Sequence, residues 1–297
     1  MNNPAATFTL SAADAAALAA THSVPLPQLL TILTTPSLSL SRVPISCFPV
    51  TAAGLTADGR VFVGVNLEFP GLPLHHSVHA EQFLVANISI HPPFSPLTHI
   101  VVSAYPCGHC RQFFQEIRGA PDIQIRVIDG NDEGLFRPVE YFLPHRFGPD
   151  DLLHKDVPLI LEGHDNGLII RDENKGFLLN GFSDSGREGL VVAALEAANE
   201  SHAPYSGCPS GVALLDDDGK VYKGSYMESA AYNPSLGPAQ AAIVAYVVNG
   251  GKGYDRIVAA VLVEKEGAAV RQYDTVRLFL KNMAPKCEFR VVRCHTK

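Results

Sequence analysis

Residues 44–68 read PISCFPVTAAGLTADGRVFVGVNLE, and residues 204–228 read PYSGCPSGVALLDDDGKVYKGSYME. The two stretches align without a gap at an offset of 160. Pro44 falls on Pro204, Ser46 on Ser206, Pro49 on Pro209, Ala53 on Ala213 and Leu55 on Leu215. Asp58-Gly59-Arg60-Val61-Phe62 falls on Asp218-Gly219-Lys220-Val221-Tyr222, Gly64 on Gly224 and Glu68 on Glu228. Each stretch is an apolar run, an Asp-Gly pair and a second apolar run. That is the pattern of two antiparallel strands joined by a tight turn whose positive φ angles suit Asp and Gly. A strand hairpin written twice at one fixed spacing predicts a duplicated domain.

Outward from the hairpins, both copies continue as alternating helix and strand. In the first copy Val50–Leu55 and Val61–Asn66 are the predicted hairpin strands. A helix is predicted over Val78–Ile90, an apolar strand over His99–Ala104, a second helix over Cys110–Arg118 and a further strand over Ile123–Asp129. In the second copy the strands fall at Ser210–Leu215 and Val221–Met227, a helix at Leu236–Val248 and a strand at Ile257–Val263. Helices alternating with apolar strands predict an α/β sheet with helices on its faces. Ser11–Thr21 and Leu26–Leu33 read as short helices ahead of the first copy, with Asp14 in the first turn. The chain therefore divides into an N-terminal helical segment (1–43), a first copy (44–147), a linker rich in Asp, Gly and Asn (148–186) and a second copy (187–297).

Composition narrows the partners. The 297 residues are 46% hydrophobic and 18% charged, with a formal net charge of −7, which is the balance of a folded globular chain. No run of Lys and Arg supplies the basic footprint that phosphate binding leaves, so a polynucleotide partner is not expected and a small, weakly charged substrate is. No stretch approaches the roughly 20 apolar residues of a membrane span, so no membrane partner is expected either. No Lys or Arg precedes Arg42, and a targeting segment normally carries early positive charge, so a cytoplasmic location is expected. Six cysteines are too sparse for a disulfide scaffold. Two of them, Cys107 and Cys110, form a C-x-x-C pair, which in a reducing compartment points to metal or redox chemistry.

Three features converge in the first copy: His79-Ala80-Glu81 at a predicted helix start, Pro106-Cys107-Gly108-His109-Cys110 where an apolar strand meets the next helix, and one helix and one strand between them. Alone, the C-x-x-C pair also fits a thioredoxin-like redox site, and H-x-E also fits a solvated helix start. In this order they form the zinc deaminase signature. One imidazole and two thiolates give three ligands and leave the fourth tetrahedral position open, as a catalytic zinc requires. Cys107 and Cys110, three apart at a helix start, share a side, and Pro106 is tolerated where helical N–H groups lack partners. His79 and Glu81 both reach the metal only if it sits off the helix end, which places His79 in or before the first turn. Glu81 is then the acid–base group and not a ligand. His75, His76, His91, His99 and His109 read as surface or packing residues; His109, the nearest rival ligand, points away from the side that the two cysteines share. In the second copy an alignment with one residue deleted puts Pro238-Ala239-Gln240 opposite His79-Ala80-Glu81. No Cys pair follows Ile257–Val263, so one Zn2+ per chain is expected.

HAEQ (79–82), PCGHCRQFFQE (106–116) and GVNLEF (64–69) together resemble the cytidine deaminase family in its larger homodimeric form, over nearly the whole chain. The resemblance implies a duplicated three-layer α-β-α sandwich with a mixed sheet, a degenerate second copy without a metal site, and a homodimer. It also implies that Asn66 and Glu68 bind the ribose hydroxyls, that Phe48 packs on the base, and that Phe147, in LPHRFGP (143–149), reaches the active site of the partner subunit. The second copy has Tyr226 for Asn66 and Cys208 for Phe48. The resemblance departs at Tyr105, where the family carries a small residue.

These readings converge on hydrolytic deamination of cytidine and deoxycytidine to uridine and deoxyuridine, in pyrimidine salvage. Activated water attacks C4 of cytosine, Glu81 carries protons to N3 and the leaving nitrogen, and the backbone N–H of Ala80 is a candidate donor to the pyrimidine O2. Alternatives from the sequence alone are a deaminase of deoxycytidylate or guanine, or a non-enzymatic zinc-binding module. A nucleotide enzyme would need a cationic phosphate pocket, whereas Asn66-Leu67-Glu68 offers an acid.

Overall fold

Both Asp-Gly pairs turn as their chemistry dictates, with Gly59 at φ 86° and Gly219 at φ 79°, a region that glycine enters without steric cost. The structure is a computed structural model that describes residues 4–128, 134–170 and 185–297. It divides into two units. The first runs to His154 and takes in Leu159–Leu161 and Ser229–Pro234. The second takes in Lys155–Pro158, the chain from Glu162 to Glu228, and Ser235–Lys297. Residues 1–43 are thus not set apart from 44–147, and the segment expected as a linker is shared between the units, with 171–184 outside the described residues.

The first sheet contains β1 (Thr9–Leu10), β2 (Thr51–Thr56), β3 (Val61–Val65), β4 (Leu97–Val102), β5 (Gln124–Val127) and β6 (Arg137–Pro138), in the order β1-β3-β2-β4-β5-β6. The second contains β7 (Leu168–Ile169), β8 (Ser210–Asp216), β9 (Val221–Ser225), β10 (Ile257–Lys265) and β11 (Glu288–Thr296), in the order β7-β11-β10-β8-β9. Each sheet is mixed, with one parallel pair at the same place: β4 beside β5, and β10 beside β11. Register repeats as well. Ala53 lies opposite Val63 and Val101, and Ala213 opposite Lys223 and Val261, so the offset of 160 holds into the third strand.

Two glycines seat the helices that follow. A Cβ on Gly64 would lie 2.1 Å from the Ala80 carbonyl oxygen, and one on Gly224 would lie 2.0 Å from the Ala242 amide. The helices Ala80–Ser89 and Pro238–Val248 therefore rest directly on strand backbone. In the second sheet Gly211 lies opposite Ser225 while Val212 lies opposite Gly224. Paired residues share a face and neighbours alternate, so Gly211 and Gly224 point to opposite faces. A Cβ on Gly211 would lie 2.3 Å from the Ala198 amide, which puts the helix Ser185–Asn199 on the other face and completes three layers. Leu190, Ala194 and Ala198 of that helix pack with Ala213, Val261, Val263 and Val292 as the core of this copy.

Ahead of the first hairpin stand the helices Ala12–His22 and Leu26–Ser37. Ser11 caps the former, its hydroxyl accepting from the Asp14 amide at 3.1 Å, a common N-cap arrangement. The latter packs on β2 and β4 and occupies, at the offset of 160, the place of Ser185–Asn199. The repeat thus begins earlier than the hairpin. The sequence reading passed over Ser185–Asn199, Tyr273–Met283 and β11, although their Ala, Leu, Lys and Arg content or β-branched runs are ordinary signals for these elements. No single helix among the described residues is long and apolar enough to cross a membrane.

The helix starts correct one alignment. His79 is the N-cap of Ala80–Ser89 and Gly237 the N-cap of Pro238–Val248. The bridges Leu67–Val78 and Met227–Leu236 agree: the intervening loop is shorter by two residues, not one. Gly237-Pro238-Ala239-Gln240 therefore stands opposite His79-Ala80-Glu81-Gln82. The expected loss of ligand and acid survives the shift, and Gln82 gains a counterpart in Gln240.

Candidate metal centre

His79 and Cys107 each sit at an N-cap in extended backbone, with φ/ψ of −77°/153° and −70°/167°. An N-cap side chain projects over the open end of its helix. Ala80–Ser89 and Gly108–Phe113 thereby aim an imidazole and a sulfur at one point, with Cys110 on the first turn behind it. The His79 Nδ1 lies 3.5 Å from the Cys107 Sγ and 3.4 Å from the Cys110 Sγ, and the two sulfurs are 3.7 Å apart. Zinc–sulfur bonds of about 2.3 Å and zinc–nitrogen bonds of about 2.0–2.1 Å at tetrahedral angles require edges of about 3.8 Å between sulfurs and about 3.5 Å from sulfur to nitrogen. The three donors therefore already stand at the corners of a zinc tetrahedron. Among the described residues, the other group of potential ligand atoms is Asp216, Asp217 and Asp218, of which Asp217 and Asp218 pair with Arg256.

The electrostatics follow from the crowding. The Cys107 thiol is held well below its ordinary value by donation from Cys110 and from His79. The thiolate in turn raises His79 above its ordinary value against the pull of burial. Cys110 is held up by its bond to Cys107 and by burial; a dication at the centre deprotonates a coordinating thiol outright. Glu81 is 4% exposed and in hydrogen-bond contact with Cys110. Burial pushes its carboxyl above its ordinary value, the direction that suits a group exchanging protons with substrate. His109 does not join the donors. Its ring stacks flat on the His79 ring, 5.0 Å between centroids with 5° between planes.

The remaining sequence candidates fall as follows. Ala80 is the first residue of its helix, where a backbone N–H lacks an intrahelical acceptor. Asn66 and Glu68 brace the loop that leads into β2. The Asn66 Oδ1 accepts from the Val50 amide at 2.9 Å and its Nδ2 donates to the Phe48 carbonyl at 3.0 Å. The Glu68 Oε2 accepts from the amides of Ile45 and Ser46 at 2.8 and 3.0 Å. Glu228 does the same in the second copy, accepting from Tyr205 and Ser206 at 2.9 and 3.1 Å. Phe48 is 61% and Phe147 45% exposed, with Tyr105 at 48%. The Phe147 carbonyl accepts from the Gln112 Nε2 at 2.7 Å, which ties its backbone to the cysteine helix while the residue stays exposed.

Sequence reasoning missed the polar residues that hold this centre in place. The Arg111 Nε donates to the Pro106 carbonyl at 2.6 Å and its Nη1 to the Phe142 carbonyl at 3.1 Å, which fixes the loop ahead of Cys107. Gln82, 2% exposed, points its Oε1 at the His79 amide at 3.4 Å and donates through Nε2 to the Pro234 carbonyl at 2.9 Å. Glu116, fully buried, accepts from the Ala230 amide at 2.7 Å. The available signal was polarity inside an apolar pattern: Gln82 in HAEQ and Glu116 in PCGHCRQFFQE are polar residues that the structure buries.

Family models described as "Cytidine and deoxycytidylate deaminase zinc-binding region" match residues 31–126 and 139–277. A curated Arabidopsis thaliana protein, "Cytidine deaminase 1", is 55% identical over 97% of this chain and 98% of its own length. "Cytidine deaminase 6" from the same plant is 50% identical over 87% of this chain and 89% of its own length. Among solved structures, a cytidine deaminase from Mycobacterium tuberculosis is 29% identical, with a TM-score of 0.34, over 39% of this chain and 91% of that one.

Proposed function

This chain belongs to the cytidine deaminase family, and from that premise we propose that His79, Cys107 and Cys110 hold its zinc and that Glu81 carries its protons. The protein is a zinc-dependent hydrolytic cytidine deaminase. The observation that carries the residue assignment is the Nδ1–Sγ–Sγ triangle of 3.4–3.7 Å with a buried carboxylate beside it. When bound at these donors, zinc supplies water activated for attack at neutral pH.

The protein groups do the rest. Glu81, desolvated and against Cys110, takes a proton from the attacking water and delivers protons to N3 and to the exocyclic nitrogen of cytosine, so that ammonia leaves and the uracil ring remains. The Ala80 N–H donates to the pyrimidine O2. Phe48 covers the base, and Asn66 and Glu68 take the ribose hydroxyls with the hydrogen-bonding capacity left beyond their loop contacts. Deoxycytidine is the second substrate. The cellular setting we assign is the cytosol, where the reaction serves pyrimidine salvage. The working assembly is a homodimer in which Phe147 of each chain acts in the site of the other.

The substrate assignment is tested by following ultraviolet absorbance with cytidine, deoxycytidine, CMP, guanosine and a cytosine-containing oligonucleotide. Turnover of the two cytosine nucleosides and not of the others is expected; preference for CMP or the oligonucleotide would overturn it. The shared site is tested by mixing Glu81→Gln chains with Phe147→Ala chains. A mixed dimer holds one site free of both lesions, so activity above both parents is expected. A monomer in sedimentation, or no gain on mixing, would refute sharing.

A further inference from the structure

Two bonds in the first unit join residues far apart in sequence. Gln82 and Pro234 are 152 residues apart, and Glu116 and Ala230 are 114 apart. Both lead to one segment, Ser229–Pro234, which packs as part of the first unit. The segment is a tight turn that bonds to itself: the Tyr232 amide donates to the Ser229 carbonyl at 2.8 Å, the Asn233 amide to the Ala231 carbonyl at 2.8 Å, and Tyr232 sits at φ 62°. Ala230 and Pro234 attach it to the metal-bearing elements. Gln82 lies three residues after His79 on one helix, and Glu116 closes the turn Phe114–Glu116 that continues the cysteine helix.

We propose that Ser229–Pro234 is a positioning element of the metal centre, which uses Gln82 and Glu116 to hold the two helix starts at the spacing that the three donors need. This rests on His79, Cys107 and Cys110 being the ligands. Gln82 joins the two ends of the link in one side chain, because its amide oxygen faces the His79 backbone and its amide nitrogen grips Pro234. Glu116 is fully buried, and a buried polar group is costly unless a donor meets it, so its bond to the Ala230 amide is costly to lose. The cysteine helix spans only Gly108–Phe113, less than two turns, and a helix of that length does not hold its position unaided. A metal site tolerates displacement of about 0.5 Å before its geometry fails. Gln82 and Glu116 are positioning residues: they touch neither zinc nor substrate.

The test uses the intact chain with two probes, the visible spectrum of the cobalt(II)-substituted protein and the rate at which zinc passes to a chelator. Gln82→Glu keeps the oxygen facing His79 and sets a carboxylate oxygen against the Pro234 carbonyl. Glu116→Leu removes the acceptor, and Glu116→Gln restores a neutral one. Outer contacts of this kind typically change metal affinity by about 10–100-fold. Gln82→Glu and Glu116→Leu are therefore expected to release zinc faster by about that factor and to change the cobalt bands, with Glu116→Gln close to the parent. A remote variant matched to them in Tm, Gly211→Ala in the second copy, is expected to leave both readouts unmoved. Unchanged spectra and release in Gln82→Glu overturn the proposal, and so does equally fast release from Gly211→Ala, which would reduce both bonds to general stability. If Glu116→Leu does not fold, Gln82→Glu decides alone. A parent protein whose cobalt form shows no thiolate-to-metal band would instead sink the ligand assignment, and the positioning role with it.

Discussion

The first copy opens its sheet-crossing helix with His79-Ala80-Glu81-Gln82, and the second opens the same helix with Gly237-Pro238-Ala239-Gln240. After the next strand the first copy opens a helix with Cys107 as N-cap and Cys110 in its first turn, whereas the helix that follows the strand in the second copy has Gln272 as N-cap and no cysteine within Tyr273–Met283. Other features are kept. The Asp-Gly turn and the glycine beneath the helix recur, and the glutamate that caps the preceding loop recurs with equivalent amide partners. What both copies keep is required by the fold, and what only the first keeps is required by the chemistry. Glu68 shows the use of this division. Because Glu228 makes the same contacts in a copy with no His/Cys/Cys group among its described residues, bracing of the loop is the structural part of its work, and any contact with sugar is added to it.

Converting the first copy into the second, residue by residue, should produce the largest effects. Glu81→Ala installs the residue of the second copy, and Glu81→Gln keeps the shape without the acid. Either should lower turnover by about 10²–10⁴-fold, the share of general acid–base catalysis, with zinc retained. Loss of zinc in Glu81→Gln would make Glu81 a ligand and break the division. Cys107→Gln, which installs the N-cap residue of the second copy, should instead empty the protein of zinc, from a ratio near one per chain to near zero by metal analysis. A ratio that starts near two or stops near one would mean that the second copy binds metal after all.

A smaller pair of effects tests the feature both copies share. Gly64→Ala and Gly224→Ala each drive a Cβ to about 2 Å from helix backbone, and overpacking typically costs about 1–3 kcal/mol. Both should lower Tm in thermal unfolding. Only Gly64→Ala should also weaken zinc binding, because the atom it strikes is the carbonyl of Ala80, next to His79. Equal zinc affinity in the two variants would show that the helix start does not transmit the displacement.

The capping glutamates come next. Glu68→Gln and Glu228→Gln each weaken amide-to-carboxylate bonds, worth about 1.5–3 kcal/mol when intact, and each should lose part of that. If Glu68 also holds ribose, Glu68→Gln alone should change KM and kcat for cytidine, since remote binding energy also positions the reacting base. Identical kinetics in the two variants would leave Glu68 with bracing only.

The fold was legible where local chemistry and tertiary structure agree. Asp-Gly turns, alternating strands and the paired glycines are written in short windows, and the spacing of His79, Cys107 and Cys110 pointed to three side chains that the structure brings together, with Glu81 in contact with Cys110. Hidden features depend on long-range contact. Nothing near Gln82 or Glu116 indicates that their partners are Pro234 and Ala230, because those partners are backbone atoms more than a hundred residues away. The two-residue shortening before Pro238 was obscured by the proline, which was set against His79 although it occupies the first helical position, a place that suits proline. Asn66 presented itself as a polar strand end. Its use of both amide atoms on the Phe48–Val50 loop became visible only once the hairpin had closed.

The smallest expected effect lies in the hairpin turns at low pH. In the first copy Asp58 accepts from the Thr56 hydroxyl at 2.7 Å and from the Arg60 Nε at 2.8 Å. In the second the acid is two positions earlier: Asp216 accepts from the Tyr222 hydroxyl at 2.7 Å and from the Lys220 amide at 2.8 Å. Burial alone would raise both carboxyls, but these donors outweigh it and hold each below its ordinary value. A carboxylate whose pKa is depressed on folding adds stability above its unfolded value and loses it as pH falls through the folded value. Tm should therefore hold steady down to about pH 4, near the unfolded pKa of aspartate, and decline below it. Asp58 is exposed and Asp216 buried, so solvent screens the first more. Asp216→Asn should flatten the acid decline more than Asp58→Asn in thermal scans across pH 3–7. Equal slopes in the two variants would mean that the turns bear equally on acid stability despite their different burial, and a slope unchanged in both would place the acid sensitivity elsewhere.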